Sequence, residues 1–210
     1  SYTSTFSRVN RLRSQFDIAL ENDFVAGIVT GTRPDCISDA ALDLFDEYCE
    51  KTFTAMELGV QSFSDEQLLW MSRGHTVKQN LKAIERVRKA CPNIDLGIHL
   101  MFGLPGETDE QISESLRLIR AANVDLITIG QYLAPSEKHL KIDRFPEPEM
   151  YDTWAQQAIE LGFSGVASGP LVRSSYKAGL LYRKTYDSTN QETLPGAYVM
   201  VSDKNKAMRD

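Results

Sequence analysis

The chain has 210 residues, of which 42% are hydrophobic and 25% charged, and its formal net charge is −6 at pH 7. This length can build one sizeable core, and the acidic balance disfavours nonspecific binding to nucleic acid. No apolar run approaches the roughly 20 residues that a bilayer-spanning helix needs, so no membrane partner is expected. The three cysteines, Cys36, Cys49 and Cys91, include no CxxC pair, which disfavours a disulfide framework and fits a cytosolic protein.

Hydrophobic periodicity predicts helices and strands that alternate along most of the chain. Predicted helices cover Arg8 to Glu21, Asp39 to about Glu50, a short stretch from Ser64, Thr76 to about Ala90, Thr108 to Ala121, and Glu149 to Leu161. Predicted strands cover Phe24 to Thr30, Thr54 to Val60, Ile94 to Phe102, Val124 to Gly130, Phe163 to Ala167, and one extra segment from Tyr198 to Val201. Between them, Gln131 to Pro148 forms a long irregular loop, and a loop of this length in a compact domain usually has a function.

Strands and helices that alternate at this spacing predict an α/β fold whose parallel strands are joined by right-handed crossovers. A closed eight-stranded barrel typically needs about 250 residues, so about five strands leave a partial barrel or an open parallel sheet. We expect residues 1–186 to form this unit and residues 187–210 to be a polar C-terminal tail.

The stretch from Gly97 to Asp109 combines a buried strand, a tight loop and the start of a helix. Gly103, Pro105 and Gly106 interrupt regular structure, and Thr108 is placed to cap the helix. In chains that repeat strand and helix, ligands bind in the loops that follow strands. An ordinary strand-to-helix turn is the alternative interpretation.

Glu57 lies in the middle of a predicted apolar strand, and Gln61, Arg73 and His99 are expected near the carboxyl ends of neighbouring strands. A buried carboxylate is costly unless it is paired, so Glu57 either accepts a ligand hydroxyl or forms a core salt bridge, with Arg33 or Arg73 as partner. Arg73 carries a planar fork that suits a carboxylate. His99 is either an acid–base group or an ordinary hydrogen-bonded core residue.

A second cluster, Arg173-Ser174-Ser175-Tyr176, follows a predicted strand and a Gly–Pro turn. Serines in this position ordinarily cap a helix. An unaided serine nucleophile is not supported, because the chain has no GxSxG turn. By residue type alone, Gln131, Tyr132 and His139 are polar residues of the long loop.

Two sets of motifs resemble two known families. The first set is GTRPDC at 31–36, ELGVQS at 57–62, RGH at 73–75 and HLMFGLPGE at 99–107. On these motifs, residues 2–105 resemble the YhcC-type branch of radical S-adenosylmethionine (SAM) proteins, relatives of the elongator catalytic subunit. The second set is DLITIGQYL at 125–133, Pro135 with His139, Gly162 with Phe163, and VASGPLVRSSY at 166–176. On this set, residues 106–181 resemble lipoyl synthase.

Both resemblances imply a partial (β/α) barrel, SAM as cofactor, and a 4Fe–4S cluster that cleaves SAM to a 5′-deoxyadenosyl radical. They imply that Glu57 and Gln61 contact the ribose or the neighbouring methionine part of SAM and that Arg73 holds the methionine carboxylate. His99 stands where related enzymes often place an acidic SAM contact. The loop from Gly103 to Gly106 would pack beside the adenine.

The resemblance to lipoyl synthase implies sulfur insertion at two carbons of an octanoyl chain carried on a protein lysine. The partner would be a lipoyl-carrier protein or the glycine cleavage H protein. The resemblance also implies that Ser174, with Ser175 as the fallback, ligates an iron of an auxiliary cluster that is consumed as the sulfur donor. Gln131, Tyr132 and Arg173 would help to enclose the substrate.

The families' cluster-binding cysteines are absent: the CxxxCxxC triad of the radical-generating cluster and the cysteines of the auxiliary cluster. None of the three cysteines of this chain can replace them by spacing. Two interpretations stay open. The chain is either a fragment of a working enzyme that lacks its N-terminal strands, or a hybrid that never carried a cluster. The alternative functions are accordingly a YhcC-type protein of unknown substrate and a cluster-free, non-catalytic barrel remnant.

Overall fold

One six-stranded sheet organises the molecule. The computed structural model describes residues 3–134, 136–137, 141–142, 145–173 and 198–201. The strands are β1 (Gly27–Thr32), β2 (Phe53–Gln61), β3 (Asp95–Phe102), β4 (Leu126–Gln131), β5 (Gly165–Ser168) and β6 (Tyr198–Val201). The helices are α1 (Val9–Leu20), α2 (Asp39–Cys49), α3 (Asp65–Trp70), α4 (Val77–Ala90), α5 (Asp109–Ala121) and α6 (Pro148–Glu160), with 3₁₀ turns at Ser4–Phe6 and Pro34–Cys36.

The sheet order is the order of the chain, from β1 to β6. Strands β1 to β5 are parallel, and β6 pairs antiparallel with β5. Helices follow β1 through β4, as right-handed crossovers require. The predicted α/β partial barrel is therefore confirmed, and so is the extra strand at Tyr198–Val201. The proposed division at residues 186 and 187 stays a prediction.

The face of the sheet that carries the helices is the core. Leu58, Ile98, Ile127 and Val166 stand side by side across β2 to β5, and all four are fully buried among helix residues. Successive side chains of a strand point to opposite faces, so the residues between them line the other, inner face. This row fixes the strand register, because a slip by one residue would expose it.

Three strands begin later in the structure than the sequence predicts. Strand β1 begins at Gly27, and Phe24 lies in a turn, 97% exposed, with its N–H bonded to the Asn22 side chain. Strands β4 and β5 begin two residues later than predicted, because Val124 and Phe163 enter the core from the preceding turns. At Val124 and Phe163 the apolar side chain indicates burial and not an extended backbone, whereas the apolar Phe24 is neither buried nor part of a strand.

The helices on either side of β3 begin with reciprocal caps. Thr76 and Gln79 form a capping box at α4, and Thr108 and Gln111 form another at α5. The predicted cap at Thr108 is confirmed. Each box satisfies two otherwise unpaired backbone N–H groups, which fixes where the loops end and the helices begin. No helix within the described ranges has the length and apolarity that crossing a membrane requires.

Two glycines let distant segments pack against the ends of strands. A Cβ on Gly103, whose φ is +77°, would stand 2.2 Å from Cγ of Pro146. A Cβ on Gly130 would stand 2.2 Å from the carbonyl oxygen of Val172. The returning end of the long loop thus covers the end of β3, and the segment after β5 covers the end of β4.

We expect Gly130→Ala to lower the free energy of unfolding by about 2–3 kcal/mol, because the new methyl group collides with backbone. Gly106→Ala is the matched control. Gly106 has a φ of +72°, but no atom lies within 4 Å of its added Cβ, so only about 1 kcal/mol of backbone strain is expected. Urea denaturation of both variants measures the difference. An equal loss would show that the Val172 segment moves aside freely.

Strand β1 is an edge of the sheet within the described part of the chain, and Val29 on it is 40% exposed. Exposed strand edges pair readily with other chains. We therefore expect the isolated chain to self-associate as its concentration rises, and Val29→Lys to reduce this association. Light scattering checks it, with Ile18→Lys on exposed α1 as a control of equal charge change. A sharp monomer signal for the unaltered chain at high concentration would contradict the prediction.

Candidate functional site

Because β1 to β5 are parallel, the loops that follow them all lie at the carboxyl ends of the strands. These ends form one edge of the sheet, at right angles to the edge strand β1. Inside this edge, on the inner face, the sheet places Glu57, His99 and Thr128 together. His99 and Thr128 are direct partners in the β3–β4 register, and Glu57 pairs with Gly97, one inner-face position before His99. Because Gly97 has no side chain, the Glu57 carboxylate can reach across β3 to β4.

One hydroxyl links the two ionisable side chains of this group. Oγ1 of Thr128 donates to Oε1 of Glu57 at 2.5 Å, and Nδ1 of His99 lies 2.9 Å from the same Oγ1. The three residues are 4–8% exposed. Hydrogen bonds in such surroundings are stronger than in water, and breaking them is costly.

Burial, together with the positive charges of Arg173 and Arg73, lowers the pKa of His99 to about 4. Its imidazole is therefore neutral at pH 7. A neutral imidazole has one nitrogen that donates and one that accepts. Of the two roles weighed from sequence, the structure makes His99 a hydrogen-bonded core residue with one ring nitrogen to spare: Nε2 has no hydrogen-bond partner among the described residues.

Arg73 lies at the edge, half-buried, with part of its guanidinium already bound. Its Nη2 donates to the Gly59 carbonyl at 3.1 Å, and its Nε lies 3.4 Å from Nε2 of His75. Burial lowers the pKa of Arg73, yet an arginine stays charged in proteins. The remaining N–H groups can hold an anion. The other arginine considered for Glu57, Arg33, forms its ion pair with Asp35.

His75 and Asn80 stand behind Arg73 and were missed in the sequence. His75 is 3% exposed, and Asn80 is fully buried beside it. Burial and the charge of Arg73 lower the pKa of His75, so this ring is also neutral near pH 7 and can accept from Arg73. The signal that could have found it is the motif RGH itself, which places a histidine two residues after the arginine.

A bulge aims Gln61. Leu58 pairs with Ile98, but Gln61 pairs with Leu100, so two residues of β2 stand opposite His99 alone. Gln61 has a φ of 73°, and its amide nitrogen would lie 2.8 Å from a Cβ on Gly59. Gly59 therefore gives room to the Gln61 amide at the strand end, as bulges beside active sites often do.

The loop from Gly103 to Gly106 is held on both sides. The Glu107 carboxylate accepts from the N–H groups of Gly103 and Leu104, at 2.8 and 3.2 Å. The Gln67 amide of α3 donates to the Pro105 carbonyl at 2.6 Å. Gly106 faces open space, so this loop can approach a ligand closely without a side chain in between.

The residues expected near a substrate divide between two places. Gln131 accepts from the Tyr151 hydroxyl at 3.2 Å, so its side chain lies on the helix face, 3% exposed, and only its backbone is at the edge. Tyr132 packs edge-on against Trp70 of α3, with ring centroids 5.6 Å apart. Arg173 donates to the Gln131 carbonyl at 3.1 Å, at the same edge as Arg73 and Glu57. Ser174 lies outside the described residues, as do Ser175, Tyr176 and His139.

The donor set fits SAM but does not fit an iron–sulfur cluster. Arg73 suits a carboxylate, and Glu57, Gln61 and the free nitrogen of His99 suit hydroxyl and amine groups. The described residues contain no group of three or more His, Cys, Asp or Glu side chains that could hold a metal ion. The cysteines are held as thiols, because burial raises the pKa of Cys49 to about 11 and of Cys91 to about 12.

Comparison with protein families decides the superfamily. The model of the radical SAM superfamily matches residues 5–119, more than half of the chain. The chain belongs to the radical SAM superfamily. The residues matched contain β1 to β3 and the motifs at 31–36, 57–62, 73–75 and 99–107.

Curated relatives of this radical SAM chain are mitochondrial lipoyl synthases of fungi. That of Talaromyces stipitatus is 45% identical over 107 residues, which are 51% of this chain and 25% of the relative. That of Aspergillus clavatus is 40% identical over 135 residues, which are 61% of this chain and 32% of the relative. The chain thus spans about a quarter to a third of the length of these relatives.

Solved structures show the same fold at lower identity. Coproporphyrinogen III oxidase (HemN) of Escherichia coli, described as a radical SAM enzyme, superposes with a TM-score of 0.61 at 20% identity over 93% of this chain and 46% of that chain. Elp3 of the archaeon Methanocaldococcus infernus gives 0.53 at 21% identity, over 77% and 42%. These likenesses support the partial radical SAM barrel.

We expect the burial of His99 to make stability depend on pH. Its pKa is near 4 when folded and about 6.5 when unfolded, so between these values the unfolded chain binds the additional proton. Stability is therefore complete above pH 6.5 and falls by up to about 3 kcal/mol as the pH drops towards 4. Urea denaturation at pH 7 and pH 4.5 measures it.

The control for this loss is His99→Gln, which removes the titrating ring while other groups are unchanged. The difference in stability between pH 7 and pH 4.5 should be smaller in the variant. An equal difference in both proteins would assign the pH dependence to other residues.

Proposed function

We propose that this chain is the SAM-binding barrel portion of a lipoyl synthase-like radical SAM enzyme. The identity of 40–45% with lipoyl synthases over half of the chain or more is the observation that carries the proposal. The family implies SAM and 4Fe–4S clusters, and the inner face offers a donor set that suits SAM. The clusters' cysteine ligands are not among the residues of this chain.

In this proposal the ends of SAM are separated along the sheet edge. Arg73, oriented by the Gly59 carbonyl and His75, binds the methionine carboxylate. Glu57 and Gln61 accept or donate to the ribose and the neighbouring methionine part, and His99 offers one acceptor. Gly103 to Gly106 gives a flat wall for the adenine, because Gly106 leaves open space there.

The substrate would be an octanoyl chain on a lysine of a lipoyl-carrier protein or the glycine cleavage H protein, into which sulfur is inserted. Arg173 stands at the same edge as the SAM donor set, which supports its part in enclosing that substrate. Tyr132, braced by Trp70, and the backbone of Gln131 border the same opening. A ligand role for Ser174 at an auxiliary cluster stays a prediction. So does the cytosolic location, since the relatives are mitochondrial proteins.

The experiment uses the polypeptide expressed from its native coding sequence, including any codons upstream of Ser1. Under reducing conditions we expect 5′-deoxyadenosine from SAM and lipoyl groups on an octanoylated carrier protein. Arg73→Ala should weaken SAM binding by about tenfold or more, because it removes a charge-assisted carboxylate contact. Arg117→Ala, on exposed α5, is the matched control and should leave binding unchanged. Absence of deoxyadenosine would end the proposal.

A YhcC-type radical SAM protein with another substrate is the second candidate, favoured by the motifs at 31–36, 57–62 and 99–107. Ser174→Ala separates the two. Loss of an auxiliary-cluster signal with SAM cleavage retained supports lipoyl synthesis, whereas an unchanged signal supports the YhcC-type reading. If neither the unaltered protein nor Ser174→Ala cleaves SAM, the cluster-free barrel remnant is the remaining interpretation.

A further inference from the structure

We propose that Thr128 is a positioning residue that fixes His99 as the Nδ1–H tautomer and so presents Nε2 as a hydrogen-bond acceptor for a donor group of the bound ligand. The identity of that ligand as SAM rests on the proposed function. The tautomer itself rests only on the buried group of Glu57, Thr128 and His99.

The tautomer of His99 follows from the single hydrogen of the Thr128 hydroxyl. A threonine hydroxyl has one hydrogen to donate. The short contact of 2.5 Å to Oε1 of Glu57 directs that hydrogen to the carboxylate, and the alternative acceptor, the Ile98 carbonyl, is 3.4 Å away. In this bond the Glu57 oxygen is the acceptor. The contact of 2.9 Å between Oγ1 and His99 therefore requires the proton on Nδ1 of the ring.

The imidazole ring of His99 is uncharged. His99 is 4% exposed, and the guanidinium groups of Arg73 and Arg173 oppose a second proton on it. With Nδ1 carrying the single proton of a neutral imidazole, Nε2 holds a lone pair. The orientation of the ring is set by the bond to Thr128, as hydrogen bonds to the distal nitrogen set imidazole orientation elsewhere.

The lone pair on Nε2 determines which groups of a ligand His99 can bind. A lone pair in a buried site accepts a hydrogen bond from a hydroxyl or an amine. A carboxylate or phosphate oxygen is disfavoured there, because two acceptors would then face each other. Arg73 at the edge has the opposite preference. The pair thus orients a ligand that carries an anionic end and a hydroxyl- or amine-bearing end. A neutral histidine can in this way replace an acidic acceptor.

The buried group of Glu57, Thr128 and His99 combines residues from two segments of the chain. Glu57 and His99 belong to the segment that resembles the YhcC-type branch, whereas Thr128 belongs to the segment that resembles lipoyl synthase. The β3–β4 register places Thr128 directly beside His99. The inner face therefore depends on both segments, and a valine in place of Thr128 would remove the hydroxyl that bonds to Glu57 and His99.

The tautomer is measured on the whole chain labelled with ¹⁵N-histidine, which has three imidazoles. Long-range ¹H–¹⁵N spectra at pH 7 distinguish protonated from unprotonated ring nitrogens, and the His99 signals are those lost in His99→Gln. We expect Nδ1–H in the unaltered chain and in Thr128→Ser, which keeps the hydroxyl. In Thr128→Val, which is nearly isosteric, we expect a large Nε2–H population. An Nε2–H ring in the unaltered chain would overturn the proposal, and no variant is needed for that result.

The effect on the ligand is measured by titrating SAM into the same samples. Thr128→Val should weaken SAM by about tenfold, while Thr128→Ser stays within about threefold. Thermal unfolding controls for folding. If SAM moves no His99 signal in the unaltered chain, the assignment of the ligand as SAM is overturned and the tautomer result still stands. If Thr128→Val changes the tautomer but binds SAM as before, the positioning role is overturned.

Discussion

The hydroxyl of Thr128 joins a carboxylate and an imidazole that would each be costly to bury alone. Glu57 accepts a hydrogen bond from this hydroxyl, and the hydroxyl oxygen lies within hydrogen-bond distance of His99, so a single side chain bonds to both. The contact exists only in one strand register. That register is set on the opposite face of the sheet, where Leu58, Ile98 and their neighbours in β4 and β5 are fully buried. Core packing and site geometry are therefore one constraint.

Charge is graded from the edge of the sheet to its inner face. Two guanidinium groups, those of Arg73 and Arg173, are tied at the edge to the carbonyls of Gly59 and Gln131. Deeper, the ring of His99 is neutral because it is buried beside those cations. An anionic group is attracted at the edge, and hydrogen-bond donors are accepted inside. This gradient suits a ligand with a carboxylate at one end and hydroxyl groups at the other, as in the SAM that the radical SAM superfamily is named for.

The loops complete this arrangement through close backbone approach. Gly103 admits Pro146 and Gly130 admits the carbonyl of Val172, so segments far apart in sequence seal the ends of β3 and β4. Gln67 and Glu107 hold the loop between β3 and α5 in place. A ligand at this edge would meet preformed backbone, which lowers the entropy lost on binding.

Sequence alone determined the alternation of strands and helices, the cap at Thr108, the radical SAM resemblance, Glu57 as a buried carboxylate within a strand, and Arg73 and His99 as polar residues near strand ends. These features are local, since periodicity, caps and motifs lie within a few neighbouring residues. The tertiary structure alone decided the bulge that aims Gln61, the turn at Phe24, the helix-side placement of Gln131 and the pairing of Thr128. Those depend on which residues face each other across the sheet, and the two bonds of Thr128 join positions 29 and 71 residues apart. Strand register links residues at such separations, and no local pattern records it.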